Sequence, residues 1–395
     1  MSGLLVEKKQ FYLVTVDYLQ GFSILFFVIW HTLLWWDGNM DTNWPNIEIP
    51  VTIFMTVALV VPPFFFFLYA FNIVNSLLRK TVSDRKETRI RFIKKTIIFF
   101  FIAELTQGIV GLSTVPENLI NFLLTWEIFH MFALTSLFFL VVFEIAWQLE
   151  QRKQYNYRSV VIIISLLFLL GILVSFLLFH DYSSTRSIHG IYVELNLKSV
   201  FERTIFESGQ NPLIPFFSFP ILGGLIAAFL NLPNEKTGIA FKKAKFVLRG
   251  SLFFLITGFL LLGVERYVST PLRYLASSSF IFITIGFLIF ATIGGIIILD
   301  LDKLSSRRKG IKMLTPVLLV SNISLTVFII HNILFFFPSE LQIIQLFLFS
   351  ETIVLIFGLL YSFCFIILAA FWYKWNYKYS LEWTIAKLQR TRWIR

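Results

Sequence analysis

A histidine eleven residues after a glutamine, both inside one apolar run, is the first feature here whose chemistry stands out. The run reads Val16-Asp17-Tyr18-Leu19-Gln20-Gly21, then apolar residues, then His31. On a helix turning about 100° per residue, Gln20 and His31 fall about 20° apart, and Asp17 about 40° from His31. The three make one polar stripe, with His31 ~16 Å further along the axis than Gln20. Imidazole titrates near neutral pH, so His31 suits a general base. The competing reading is a buried histidine bonded to a neighbouring helix. Other ionisable groups lie in apolar runs: Glu104, then Glu127 and His130, which are three apart and share a helical face. That pair reads first as a structural ion pair, with a proton relay or half of a metal site as alternatives. A metal would need ligands that the sequence does not place, so none is expected. A later run carries Asn322, Ser324, His331 and Asn332, with His331 at a depth comparable to His31. His180 and His189 fall at a membrane edge or outside it and are expected to be solvated.

Those residues sit in long apolar segments. The chain has 395 residues, 57% hydrophobic and 14% charged, with a mean hydropathy of +0.78. Soluble domains carry about 25% charged residues, and no soluble core can hide this much apolar surface. Runs long enough to span, ~20 residues, lie near 12–36, 50–78, 92–114, 119–147, 158–180, 211–231, 246–264, 275–299, 312–337 and 350–373. The expectation is an all-α, polytopic transmembrane bundle of about ten spans. The first run reads as an uncleaved signal anchor. The single cysteine, Cys364, excludes an internal disulfide and reads as a small apolar core residue.

The charges alternate from loop to loop. One side holds Lys8, Lys9, the cluster from Arg79 and Lys80 through Arg91, Lys94 and Lys95, and Arg152, Lys153 and Arg158. It also holds Lys236 with Lys242, Lys243, Lys245 and Arg249, then Lys303 to Lys312, and a basic tail. Together these are 29 of the 34 Lys and Arg, and five fall on the other side. Basic residues concentrate in cytoplasmic loops, so both termini are expected inside. The net charge of +11 is then mostly topogenic, with anionic headgroups or a phosphorylated cytosolic ligand as further partners. A nucleic-acid partner is not expected. Segment 181–210 is longer than a connector needs and reads as a cap over an outer site or as a solvated loop. In the tail, Leu381, Ile385 and Leu388 recur at helical spacing beside Trp383 and Trp393, as in an interfacial cytoplasmic helix. The domain reading is 1–375 for the bundle and 376–395 for a basic amphipathic tail.

The segment from Asp17 to His31 resembles the first helix of the transmembrane acyltransferase superfamily, whose pattern is D-x-x-R-G followed by a histidine. The spacing from position 20 to His31 matches, and Gln20 stands where that pattern has Arg. Val61-Pro62-Pro63-Phe64-Phe65-Phe66-Phe67 is similar to the family's P-x-F-F helix, and Trp126-Glu127-Ile128-Phe129-His130 sits where an I-L-Q start is common. Asn211-Pro212-Leu213-Ile214-Pro215-Phe216 with Gly223-Gly224 resembles a segment of the heparan-alpha-glucosaminide N-acetyltransferase-like branch. Tyr274 to Ser279 does so more loosely. Ser324 to His331 resembles the family's S-L-x-x-Y-x-x-H helix. The resemblance covers roughly residues 12–340. It implies an enzyme that moves an acyl group, acetyl above all, from cytosolic acyl-CoA to a hydroxyl or amine of a glycan or lipid-linked acceptor on the outer side. His31 would be the base, with Asp17, His331, Glu127 and His130 beside it. Gln20 would contact the thioester, and Arg79, Lys80, Arg91, Lys94, Lys242 and Lys243 the CoA phosphates. The implied partners are acyl-CoA (acetyl-CoA) as co-substrate, membrane lipid and the acceptor, and a homodimer is compatible with the chain. The alternatives are a lipid or glycan transporter, a non-catalytic scaffold or sensor, or a family member that has lost activity.

Overall fold

A computed structural model describes residues 13–36, 60–80, 84–114, 128–152, 156–184, 216–232, 236–264, 278–301, 315–340 and 351–390. Among these every regular element is helical. In chain order they are α1 (Val14–Trp36), α2 (Val61–Leu77), α3 (Arg85–Thr114), α4 (Ile128–Gln151), α5 (Tyr157–Ser184) and α6 (Ser218–Leu230). Then come α7 (Thr237–Val264), α8 (Ser278–Gly295) running into a π-helical turn (Ile296–Leu301), α9 (Thr315–Ser321), α10 (Ser324–Glu340), α11 (Glu351–Lys374) and α12 (Leu381–Arg390). Six of these helices are long and apolar enough to cross a membrane, and a seventh crossing results where α9 and α10, bent by 78°, count as one. α2 and α6 are apolar but shorter, with 17 and 13 residues.

The solvent for this fold is lipid. Leu167 on α5, Phe253, Phe259 and Leu260 on α7, and Leu360 on α11 are all more than 60% exposed. Water would penalise such a surface, whereas hydrocarbon solvates it, so the chain is a membrane-embedded helical protein. Cys364 belongs to this outer face. It is exposed beside Phe363, which corrects the expectation of a core position. In a membrane protein an apolar run has an apolar outside as well as an apolar inside, so hydropathy does not distinguish the two.

Many of the most deeply buried side chains lie on α1, α2, α4 and α6. Between helices already dissolved in lipid, close packing rather than water release drives association. α2 and α6 meet through Gly223, where an added Cβ would lie 2.2 Å from the Phe67 carbonyl oxygen. α1 meets α9 in the same way: a Cβ on Gly21 would lie 2.2 Å from the Val317 carbonyl oxygen. α2 starts on Pro62 and Pro63, which fix φ and lack the N–H that a first turn leaves unbonded. α6 ends on Asn231 in the left-handed conformation, φ 49°, and its N–H bonds to the Ala227 carbonyl at 2.9 Å. The next orphan carbonyls of α6, Ala228 and Phe229, accept bonds of 2.8 and 2.6 Å from the Arg158 guanidinium on α5. Arg85 and Arg89 on α3 both bond to Glu144 on α4 and pin those two helices together.

Candidate functional site

α1 and α10 pack against each other. Each has its first amides bonded to a carboxylate from a distant segment, which satisfies groups every helix start leaves open. On α1, the Val14 and Thr15 amides donate to Asp300 at 2.9 and 3.3 Å. On α10, the Leu325 and Thr326 amides donate to Glu382 Oε1 at 2.6 and 3.3 Å, and the Thr326 hydroxyl donates to Oε2 at 2.6 Å. α10 has a start inside the bundle because the chain breaks at Asn322–Ile323. No proline or glycine marks this break; Asn322 turns its amide back on the Leu318 carbonyl at 2.9 Å. The expected single run 312–337 is therefore two helices at a steep angle.

The polar residues of α1 meet their counterparts on α10. The Gln20 amide donates to the Ser324 hydroxyl at 2.6 Å. Further in, His31 Nδ1 and His331 Nε2 lie 2.9 Å apart, both rings buried. The other nitrogen of His331, Nδ1, is 3.0 Å from the Val327 carbonyl oxygen, which can only accept. That carbonyl assigns the His331 proton to Nδ1. His331 Nε2 is then an acceptor, and His31 must donate to it from Nδ1. The lone pair of neutral His31 is thereby placed on Nε2. Asn332 also hydrogen-bonds His31. The dyad is walled by aromatic rings. Phe27 lies 4.1 Å from His31 and 5.6 Å from His331 between ring centroids, and Phe328 lies 5.5 Å from His331.

At the Gln20 level the bundle opens into a groove of about 410 Å³ between α1, α2, α3, α4, α10 and α12. Its polar lining is Gln20, then Tyr69, Asn72 and Ser76 from α2, Arg91 and Lys95 from α3, and Glu382 and Gln389 from α12. Its apolar lining includes Phe65, Leu68, Phe92, Phe99, Phe132 and Ile385. Lys95 stands over the Tyr69 ring at 4.5 Å. The Tyr69 hydroxyl bonds to Ser136, which donates to the Phe132 carbonyl. Phe65 meets Phe27 edge-on at 6.1 Å, so Phe65 and Phe27 stand between groove and dyad. Along α10, His331 lies seven residues beyond Ser324, ~10 Å of helix.

The structure brings together His31, His331 and, at the groove, Gln20 and Arg91. It does not gather the other candidates there. Asp17 is absent from the groove lining and its charge lies near Asp300. His130 turns to α3 instead, with Nε2 3.1 Å from Glu104 Oε1, and Glu127 lies outside the described residues. This is a contact between two helices, α4 and α3. Arg79, Lys80 and Lys94 do not line the groove, and Lys242 and Lys243 stand on α7, where Lys243 faces the Phe229 ring. Tyr69, Asn72 and Ser76 were missed, although their spacing of three and four marks one helical face. Glu382 was missed as well: nothing in an acidic residue of a basic tail signals that it bonds a helix fifty-six residues away. No family model, curated protein or solved structure matches the chain.

Proposed function

We propose that this protein is a membrane-embedded acyltransferase that uses the His31–His331 dyad as its base and takes an acyl group from acyl-CoA entering at the groove. The observation that carries the reading is the ordered proton pattern from the Val327 carbonyl through His331 to His31. It leaves His31 Nε2 as the basic nitrogen. That nitrogen takes the proton from an acceptor hydroxyl or amine as its oxygen or nitrogen attacks the thioester carbonyl. The tetrahedral adduct expels the CoA thiolate, which recovers the proton. His31, charged in between, keeps its Nδ1–H on His331 and so stays oriented. Gln20, Arg91 and Lys95 at the groove suit a thioester arm and its phosphates. In this reading the ten apolar runs are ten crossings. The excess of Lys and Arg on one side puts both termini and the groove in the cytosol, where acyl-CoA is made, and the plasma membrane is the host. The acceptor is a glycan or lipid-linked glycan on the far side.

One observation favours a second reading. A helix broken inside the bundle, with a helix start at a polar groove, is a common feature of transporters. Acyl-CoA binding and hydrolysis by the purified protein separate the two. The acyltransferase reading expects saturable acetyl-CoA binding with slow turnover, reduced about 10²–10⁴-fold in His31→Ala with little loss of binding. An absence of binding for both acetyl-CoA and longer acyl-CoAs refutes it and turns the work to transport assays.

A further inference from the structure

We infer that α12 is a releasable wall of the groove, held shut by Glu382, and that its docking controls the groove's ability to hold a ligand. This rests on the groove being the ligand site but not on the ligand being acyl-CoA. Glu382, Ile385, Ala386 and Gln389 fall at i, i+3, i+4 and i+7, and this single face of α12 lines the groove. Without α12 the groove loses one side. Docking relies on few contacts. Ile385 is the only residue of α12 that is fully buried among those described, whereas Lys387 and Leu388 are exposed. Against so little packing, the clasp stands out. Glu382 takes three bonds from Leu325 and Thr326, and the Thr326 hydroxyl oxygen accepts in return from the Leu381 amide at 2.7 Å.

The link between α11 and α12 is strained. Within Trp375–Ser380, three non-glycine residues adopt left-handed backbone: Asn376 at φ 52°, Tyr377 at 54° and Tyr379 at 67°. A Cβ disfavours that region, and a tyrosine side chain cannot reach its own backbone to offset the cost. The turn is closed by bonds from the Asn376, Tyr377 and Lys378 amides and from the Trp372 indole to the Lys378 carbonyl at 2.7 Å. A strained turn opposed by a small polar clasp is an element with two positions, docked and released. The clasp also joins this element to the dyad. The helix start that Glu382 seals is that of α10, which carries His331 two turns further on.

The test is a pair of spin labels, at Lys387→Cys on α12 and Lys242→Cys on α7, in a Cys364→Ser background, with distances read by pulsed electron resonance on the full chain. The parent should give one narrow distance distribution. Glu382→Ala and Thr326→Val, which break the clasp from its two sides, should each add a second distance, with at least a tenfold rise in the released fraction. Thr326→Val keeps side-chain shape and serves where Glu382→Ala fails to fold. Tyr379→Gly, which relieves the turn, should shift the Thr326→Val protein back toward the docked distance. A single unchanged distance in both clasp variants overturns the proposal. Because the labels are read without ligand, a failure of acyl-CoA binding would leave this result standing and count only against the acyltransferase reading.

Discussion

Gly21 follows Gln20 and fixes how closely α1 approaches α9, so we predict that Gly21→Ala damages both the fold and the Gln20–Ser324 bond. An alanine Cβ there would sit 2.2 Å from the Val317 carbonyl oxygen and 2.8 Å from Val317 Cγ1. Carbon and carbonyl oxygen approach no closer than about 3.3 Å in ordinary packing, so the two helices must part by roughly 1 Å. The obstacle is backbone inside a helix, which no rotamer change removes. Overpacking of this kind costs about 1–3 kcal/mol. The same displacement stretches the Gln20–Ser324 bond from 2.6 Å toward roughly 3.5 Å, the limit at which it stops being a hydrogen bond. Gly171→Ala is the control. Its Cβ would meet nothing within 4 Å on the lipid-facing side of α5, and alanine is the better helix former, so it should be neutral or slightly stabilising. The assay is unfolding in mixed micelles followed by the fluorescence of the ten tryptophans. Equal stabilities for Gly21→Ala and Gly171→Ala would refute the claim that α1 and α9 touch through Gly21.

Two further predictions probe the dyad and the clasp. Phe27→Ala removes the ring that packs on both imidazoles and meets Phe65 of the groove wall. Diethylpyrocarbonate should then modify His31 several-fold faster than in the parent, read by mass spectrometry, and an unchanged rate would mean that Phe27 does not shield the dyad from the groove. At Glu382, burial raises the carboxyl above the usual carboxylate range more than its bonds from Thr326 and the Leu325 amide lower it. Arg91 and Lys95 are the other charged groups lining the same groove. The folded state thus binds this proton more tightly than the unfolded state does. The stability from that difference is fully present below the unfolded value, about 4.3, and is lost as pH rises through the raised one. Glu382→Gln should flatten this part of the stability–pH curve, and an unchanged slope would place the titration elsewhere.

The residues that could be read from the sequence are those whose polarity is conspicuous against lipid. Gln20 and His31, eleven apart on one helical stripe, and Ser324 and His331, seven apart on another, were visible as polar positions in apolar runs. The structure joins them as two hydrogen-bonded pairs. The pairing itself was not legible, because spacing places residues on one helix and says nothing of which helix lies opposite. The same limit explains His130. Its spacing from Glu127, which lies outside the described residues, pointed to a pair within one helix, whereas the contact with Glu104 comes from α3 and no spacing announces it. Hydropathy failed where inside and outside are equally apolar. Cys364 and the buried Phe67 lie in equally apolar runs and face opposite ways.

The break between α9 and α10 had a local signal of a different kind. The cluster Ser321-Asn322-Ile323-Ser324 offers polar side chains that compete for backbone bonds, and Ser321 and Asn322 both bond to the Leu318 carbonyl. A helix start opened there inside the bundle needs an acceptor for its amides, since hydrocarbon supplies none. The acceptor is Glu382, carried by the amphipathic helix whose spacing was readable but whose docking place was not. Break and tail are therefore one structural decision. A chain that starts a helix at Ser324, within reach of Gln20, must bring a carboxylate to it, and the tail that brings it also walls the groove.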